Sequence, residues 1–250
     1  MKLFDPLPRK RGTSLAEFSH YWMTHHAELA KEFRRIRRYI QSVRLEHKPS
    51  ALGYPLGDTW CDGCAETWHD DAASVDAMAA DPRFSDLMDD EARFLDLTHP
   101  RSLLKTEERL MDEHGFDPRL RGVKVLIFVR RAANLSRSEF LTSWDDDAAV
   151  SLGRQLGSTR HVVCSSLGQV EREAAQDDAG AEGGVSVSAA TSVDADDGYD
   201  GVRELWWPSM AHLESALAGD PRAAERLIRP HTIDVARSFA LVAHERVIVP

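Results

Sequence analysis

The sequence contains no apolar run long enough to cross a bilayer as a helix, so no membrane span is expected. Its opening residues, Met1-Lys2-Leu3-Phe4-Asp5-Pro6, hold neither an apolar leader core nor a small-residue cleavage site, which argues against a secretory signal. Cysteine is scarce, with three in 250 residues. That number cannot build a disulfide framework, and a reducing cytoplasm is the expected compartment. Cys61 and Cys64 form a single C-x-x-C pair. A zinc site would need two further ligands, and His69 is the one obvious neighbour, so no metal is expected. No G-x-G-x-x-G, phosphate-binding loop or nucleophile elbow occurs, which leaves nucleotide cofactors and serine hydrolase chemistry without support. There is no broad basic face for nucleic acid. The short cluster Arg34, Arg35, Arg37 and Arg38 reads instead as cations at a helix C-terminus.

What is present is the composition of a soluble globular chain, 42% hydrophobic and 29% charged, with room for one large domain or two ordinary ones. The net charge of -10 is local in origin. Nine acidic residues and one arginine fall between Glu171 and Asp200, and the remainder is close to neutral. The stretch 171–198 has no aromatic residue and little to bury, which predicts a mobile acidic insertion.

Periodicity organises the first 110 residues. Lys2-Leu3-Phe4 reads as a strand confined by Pro6 and Pro8. Ser14 and Glu17 have the spacing of a capping box and open a helix predicted to run to about Arg35. Leu15, Phe18, Trp22, His26, Leu29 and Phe33 fall on one face of that helix at a period of 3.6. Arg38 to Leu45 alternates as a half-buried strand, and His47 to Gly57 reads as a loop. A third strand starts at Cys64. A helical region from about Ala72 to Leu97 breaks near Asp81-Pro82, and Ser102 to Leu110 forms a fourth strand. The order βαββαβ is that of a ferredoxin-like unit.

The pattern then repeats. At an offset of 122, Lys2, Arg9, Ser14, Glu17, Phe18, Trp22, Arg38 and Leu45 recur as Lys124, Arg131, Ser136, Glu139, Phe140, Trp144, Arg160 and Leu167. Past the acidic insertion, Glu66 and Trp68 recur as Glu204 and Trp206, Asp81-Pro82-Arg83 as Asp220-Pro221-Arg222, and Arg101-Ser102 as Arg237-Ser238. Such a run of identities indicates an internal duplication. It divides the chain into a first unit (1–114), a linker (115–122) and a diverged second unit (123–250).

The run Arg11-Gly12-Thr13-Ser14-Leu15-Ala16-Glu17-Phe18, followed by Tyr21-Trp22 and His26, resembles the start of EthD-type domains. Arg38-Tyr39-Ile40-Gln41 and Asp90-Glu91-Ala92-Arg93-Phe94-Leu95-Asp96 extend the resemblance across the first half. It is weaker in the second half, through Leu135-Ser136, Glu139-Phe140, Trp144 and the stretch from Tyr199 to Trp206. That family belongs to the dimeric α+β barrels. The resemblance therefore implies an α+β fold in which two fused ferredoxin-like units form an intrachain barrel, with further pairing of two such chains left open.

By the same resemblance, the expected activity is that of a cofactor-independent lyase or isomerase. Such an enzyme would dehydrate, decarboxylate, cyclise or isomerise a small aromatic or polyketide-like substrate by proton transfer. His26 is the candidate general acid/base, because imidazole titrates near neutrality. Tyr39 is the candidate donor to an oxyanion. The position matching His26 in the second half is Ala148, and that matching Tyr39 is His161, so the halves are not equivalent. The expected substrate-binding set is His25, Trp22, Glu66, Trp68 and Phe94. Most of these residues have a plainer reading. His26 could be a buried histidine satisfied by a carbonyl or by Glu66, His25 could point outward, and Tyr39 and Trp68 could be packing residues. Trp22 is the stronger scaffold candidate because Trp144 repeats it. Glu66 and Glu204 could orient His26 or pair with an arginine. Two other functions stay open at this stage. One is a cofactor-free monooxygenase or haem-binding barrel, and the other a non-enzymatic ligand-binding accessory protein.

Overall fold

In the computed structural model, the residues described are 1–49, 52, 56–99, 101–117, 122–144, 153–172, 191–192, 198–220, 222, 225–226 and 231–250. The first half contains β1 (Lys2–Leu7), α1 (Leu15–Tyr21), a π-helical turn (Trp22–His26), α2 (Ala27–Lys31), β2 (Arg38–Arg44), β3 (Gly63–Trp68), α3 (Ala72–Ala79), α4 (Arg83–Glu91) and β4 (Arg101–Glu113). The second contains β5 (Val123–Val129), α5 (Arg137–Trp144), β6 (Arg160–Arg172), β7 (Thr191–Ser192), β8 (Gly201–Trp207), α6 (Met210–Gly219) and β9 (Phe239–Val249). Most of the acidic stretch 171–198 lies outside the described residues, as do Asp145, Asp146, Asp147 and Ala148.

The strands pair in the order β4-β1-β3-β2-β9-β5-β8-β6, and β6 returns to β4, closing an eight-stranded barrel with β7 attached to β6. Every pairing is antiparallel. Closure leaves the barrel strands no open edge, a solution that antiparallel strands reach without crossover helices. Two seams join the halves. One pairs β2 with β9, and the longer one pairs β4 with β6 from Arg101↔Arg172 to Glu113↔Arg160. The fourth strand thus runs three residues past the expected Leu110, because its C-terminal half has a partner strand that local pattern does not reveal.

Alternation sorts the side chains into two layers. Leu126, Phe128, Phe4, Leu104, Val202 and Phe239 pack inside the barrel. Val123, Val125, Ile127 and Val129 face outward and are covered by Phe140 and Trp144 of α5 and Leu213 and Leu217 of α6. Strand β5 is therefore buried on both faces, which is why its sequence is apolar throughout except at Lys124. The same helical layer covers the first half.

Local chemistry sets the first helix. The Ser14 hydroxyl accepts from the Glu17 N–H, and the Glu17 carboxylate accepts from the Ser14 N–H, completing the expected capping box. The expected single helix to Arg35 is instead α1, a five-residue π turn and α2 ending at Lys31. The turn delays the chain by part of a residue, so the buried stripe Phe18, Trp22, His26 continues at Ala30 while Leu29 is only half-buried. Both halves seat their helix tryptophan on a glycine. A Cβ at Gly63 would lie 2.6 Å from the Trp22 ring, and one at Gly201 would lie 2.8 Å from Trp144 Nε1.

Candidate active site

The outer face of the first-half sheet does not meet its helices everywhere. Between β1 to β4 and the helices α2, α3 and α4 lies a cavity of about 240 Å³. Its walls are mostly apolar, including Leu3, Ile36, Met78, Phe84, Leu87 and Met88. The polar groups reaching it are few, as is usual for a small-molecule site. They are His26 from the π turn, Tyr39 from β2, Thr67 from β3, Asp5 from β1, Lys105 from β4, Glu91 from α4 and Asp76 from the exposed face of α3.

His26 is positioned from two sides. Its Nδ1 lies 3.0 Å from Asp90 Oδ2 on α4, and its ring packs on Phe94 at 4.9 Å between centroids. Tyr21, one turn earlier, donates to Asp90 Oδ1 at 2.6 Å. Burial, and then the Asp90 carboxylate, push the Tyr21 phenol up to about 12, so it stays a donor. A carboxylate on Nδ1 fixes the ring's orientation and favours one tautomer, the arrangement by which a histidine is made a directional acid or base. Here the π turn matters, since it sets His26 on the cavity side above Trp22.

Tyr39 is held in a second network. Trp22 Nε1–H donates to its oxygen at 2.9 Å, and Gln41 Nε2 donates to the same oxygen at 3.2 Å and to the Trp22 carbonyl at 2.9 Å. With two donors on the oxygen, the Tyr39 hydroxyl proton is left to donate elsewhere, and the residue lines the cavity. Burial pushes its ionisation well above the usual phenol range, so it is a neutral donor at physiological pH.

The cavity brings together His26 and Tyr39, with Phe94 behind the imidazole and Trp22 fully buried beneath Tyr39. His25 is exposed and packs against Tyr21 at 4.9 Å. Glu66 and Trp68 sit elsewhere, on the barrel side of β3. Being two residues apart, they share a face, and Lys2 Nζ lies 2.7 Å from Glu66 and 4.3 Å from the centre of the Trp68 ring. Glu66 pairs with Lys2 and Lys124, and Asp90 is the carboxylate that reaches His26. Sequence reading missed Asp90, Tyr21, Gln41 and Lys105. Asp90 could have been found from its place four residues before Phe94 in the late EthD-like run.

In the second half, Tyr39 is matched by His161, which is fully buried, and burial pulls its pKa down to about 3. Asp5 is matched by Ile127 and Lys105 by Val242, from their equivalent pairings in the sheet. Both replacements lie in a packed apolar cluster.

Residues 10–98 match the model of the EthD domain. His26, Tyr39 and Asp90 all lie within that stretch, whereas Lys105 comes from beyond its end. No curated protein matches the chain. Among solved structures, an anthrone oxidase-like protein shares the fold with a TM-score of 0.63 at 9% identity, over 100% of this chain and 93% of its own. A candidate monooxygenase from Fusobacterium nucleatum subsp. nucleatum aligns with a TM-score of 0.51 at 6% identity, over 99% and 91%. These likenesses are of fold, an α+β architecture around an antiparallel barrel. They also correct the expected lyase or isomerase activity, because the proteins sharing this fold along its whole length are named for oxidase and monooxygenase chemistry. The physical reason for the error is that a histidine–carboxylate pair beside a phenol reports proton transfer, which is also the opening step of oxygenating an acidic C–H. Among the described residues no helix is long and apolar enough to cross a membrane.

Proposed function

We propose that the EthD domain of this chain is a monooxygenase acting on a small, electron-rich aromatic substrate held in the cavity beside His26. The observation that carries this reading is the directed pair His26–Asp90 facing an apolar-walled cavity that the neutral hydroxyl of Tyr39 also lines. His26 takes a proton from an activated ring methylene or hydroxyl, and Tyr39 hydrogen-bonds the developing enolate oxygen. The carbanion passes its electrons to O2. One oxygen atom ends as a ring carbonyl, and the other leaves as water with the two hydrogens lost from the substrate. The substrate is thus its own reductant. The names of the two solved relatives favour this chemistry.

The chain is, on this proposal, two fused ferredoxin-like units over 1–114 and 123–250, joined by 115–122. The strand orders β4-β1-β3-β2 and β9-β5-β8-β6 support it. The first unit carries the chemistry, and the second closes the barrel.

The test is oxygen uptake with anthrone and with an anthrone carboxylate as substrates. The expected result is one O2 consumed per anthraquinone formed, with a rate at least a hundredfold lower in His26→Ala. Conversion no faster than in buffer, or unchanged in His26→Ala, would sink the proposal. A Soret band in the purified protein would transfer the redox role to haem.

A further inference from the structure

Lys105 stands out among the groups lining the cavity. It lies on β4 opposite Leu3, and only 7% of its surface is exposed. No described residue supplies a hydrogen bond or ion pair to its ammonium, and the side chain lines the cavity instead. Two of the lining carboxylates, Glu91 and Asp5, are engaged by Arg101, which lies 2.5 Å from Glu91 and 3.7 Å from Asp5. A buried ammonium against apolar walls is costly unless something pairs with it. In the second half the equivalent position is Val242, packed in the core, so the barrel itself has no need of a cation there.

We propose that Lys105 is an anchoring residue for an anionic oxygen of the substrate, so that the cavity selects planar aromatic acids over neutral arenes. The inference rests on the cavity being a substrate site. It extends that reading by naming the chemical class: an aromatic ring carrying a carboxylate or an ionised phenol. The two anchors divide the work. Lys105 on β4 fixes the charged end of the ring system, while Tyr39 and His26, on β2 and the π turn, meet the end where protons move. Charge-assisted pairing in a mostly apolar cavity gives orientation as well as affinity. It also discriminates, because a neutral analogue leaves the ammonium desolvated and unpaired.

The experiment is binding without oxygen, followed by tryptophan fluorescence under nitrogen. The probes are 2-naphthoate, 2,4-dinitro-1-naphtholate and the neutral 2-naphthamide, tested on the full chain and on Lys105→Met and Lys105→Arg. Wild-type protein is expected to prefer an anion over the amide. Lys105→Met should weaken anion binding about 10- to 100-fold, the effect of a lost charged hydrogen bond, while amide binding changes less than about threefold. Lys105→Arg should retain most of the preference. Tighter binding of the naphthoate names a carboxylate as the natural group, and tighter binding of the naphtholate names a phenol. The inference is overturned if the wild-type protein favours the amide or binds none of the three. It is also overturned if Lys105→Met weakens amide and anions equally, the mark of a purely structural lysine. Since no turnover is involved, loss of oxygen uptake with intact charge selectivity would remove the monooxygenase reading and leave this one standing.

Discussion

Lys2 Nζ lies 2.6 Å from Glu204 Oε2, joining β1 of one half to β8 of the other inside the barrel. Its repeat counterparts do the same in reverse, Lys124 meeting Glu66 at 2.7 Å, and each lysine also contacts the glutamate of its own half. All four side chains are at most 2% exposed. Burial would raise the Glu204 pKa, but the Lys124 and Lys2 ammonium groups outweigh it and hold that carboxyl at about 2. Removing one member strands a charge without removing its desolvation cost. Glu204→Gln should therefore destabilise the fold by about 3–5 kcal/mol. Lys2→Met combined with Glu204→Leu should cost clearly less than the sum of the single changes. Urea melts of the two single variants and the double variant check this, and additive losses would mean the four charges do not act as one unit.

The fully buried His161 predicts an acid-sensitive fold. Burial first, and then the Arg203 charge, hold its pKa at about 3, against an ordinary value of 6.5. Between those two pH values the unfolded chain takes up a proton at this position that the folded chain refuses, so stability falls as pH falls from 6.5 toward 3. Each pH unit within that window removes up to about 1.4 kcal/mol. Thermal melts between pH 7 and 5 should show a falling Tm whose slope lessens in His161→Leu, the remainder coming from His69, whose burial holds its pKa at about 4. That range lies above the region where Glu204, ordinarily titrating at 4.5, adds its own loss. An unchanged slope in the variant would show that His161 is not the group responsible.

The capping box at Ser14 and the Trp22 anchor were legible because each depends on neighbours within one element. Strand β2, expected to be half-buried, is instead buried on both faces from Tyr39 to Val43, because the barrel interior and the helices cover it. The recurrence of Lys2 and Glu66 as Lys124 and Glu204 was legible too. Their meeting inside the barrel was not, because contacts between residues about 200 positions apart arise from closure. The π turn escaped for a different reason: a five-residue widening alters the helix phase by less than a residue and leaves no compositional mark. Likewise, His26 could be singled out as the one histidine in an apolar stripe, whereas its partner Asp90 lies on another helix among several acidic residues. Glu66 was the carboxylate considered for that role, and the strand's pleat turns it to the opposite side of the sheet.

Tyr39 offers a test of oxyanion assistance separate from proton abstraction. Trp22 and Gln41 both donate to its oxygen, so Tyr39→Phe removes one hydroxyl and leaves the ring packing in place. Two buried donors lose an acceptor, which should cost about 1–3 kcal/mol of stability. The kcat for oxygenation should fall about 10- to 100-fold with the protein still folded at room temperature. Full activity in Tyr39→Phe would reduce Tyr39 to a packing residue.

Asp90 touches His26 and Tyr21, and it is absent from the cavity lining. It is therefore a positioning residue. Asp90→Asn keeps the side-chain volume but replaces an acceptor-only group with an amide that can rotate its NH2 toward the imidazole. The ring then loses both its fixed tautomer and the negative charge that stabilises an imidazolium after proton abstraction. The expected outcome is a kcat about a hundredfold lower, within the usual range for acid–base assistance, and a KM changed less than about threefold. Tyr21→Phe, which leaves the His26–Asp90 contact intact, should lower kcat only a few-fold. The comparison separates positioning from mere support of the fold, because general loosening of the cavity would raise KM in both variants. If Asp90→Asn raised KM at constant kcat, Asp90 would be shaping the cavity and His26 would need no carboxylate behind it.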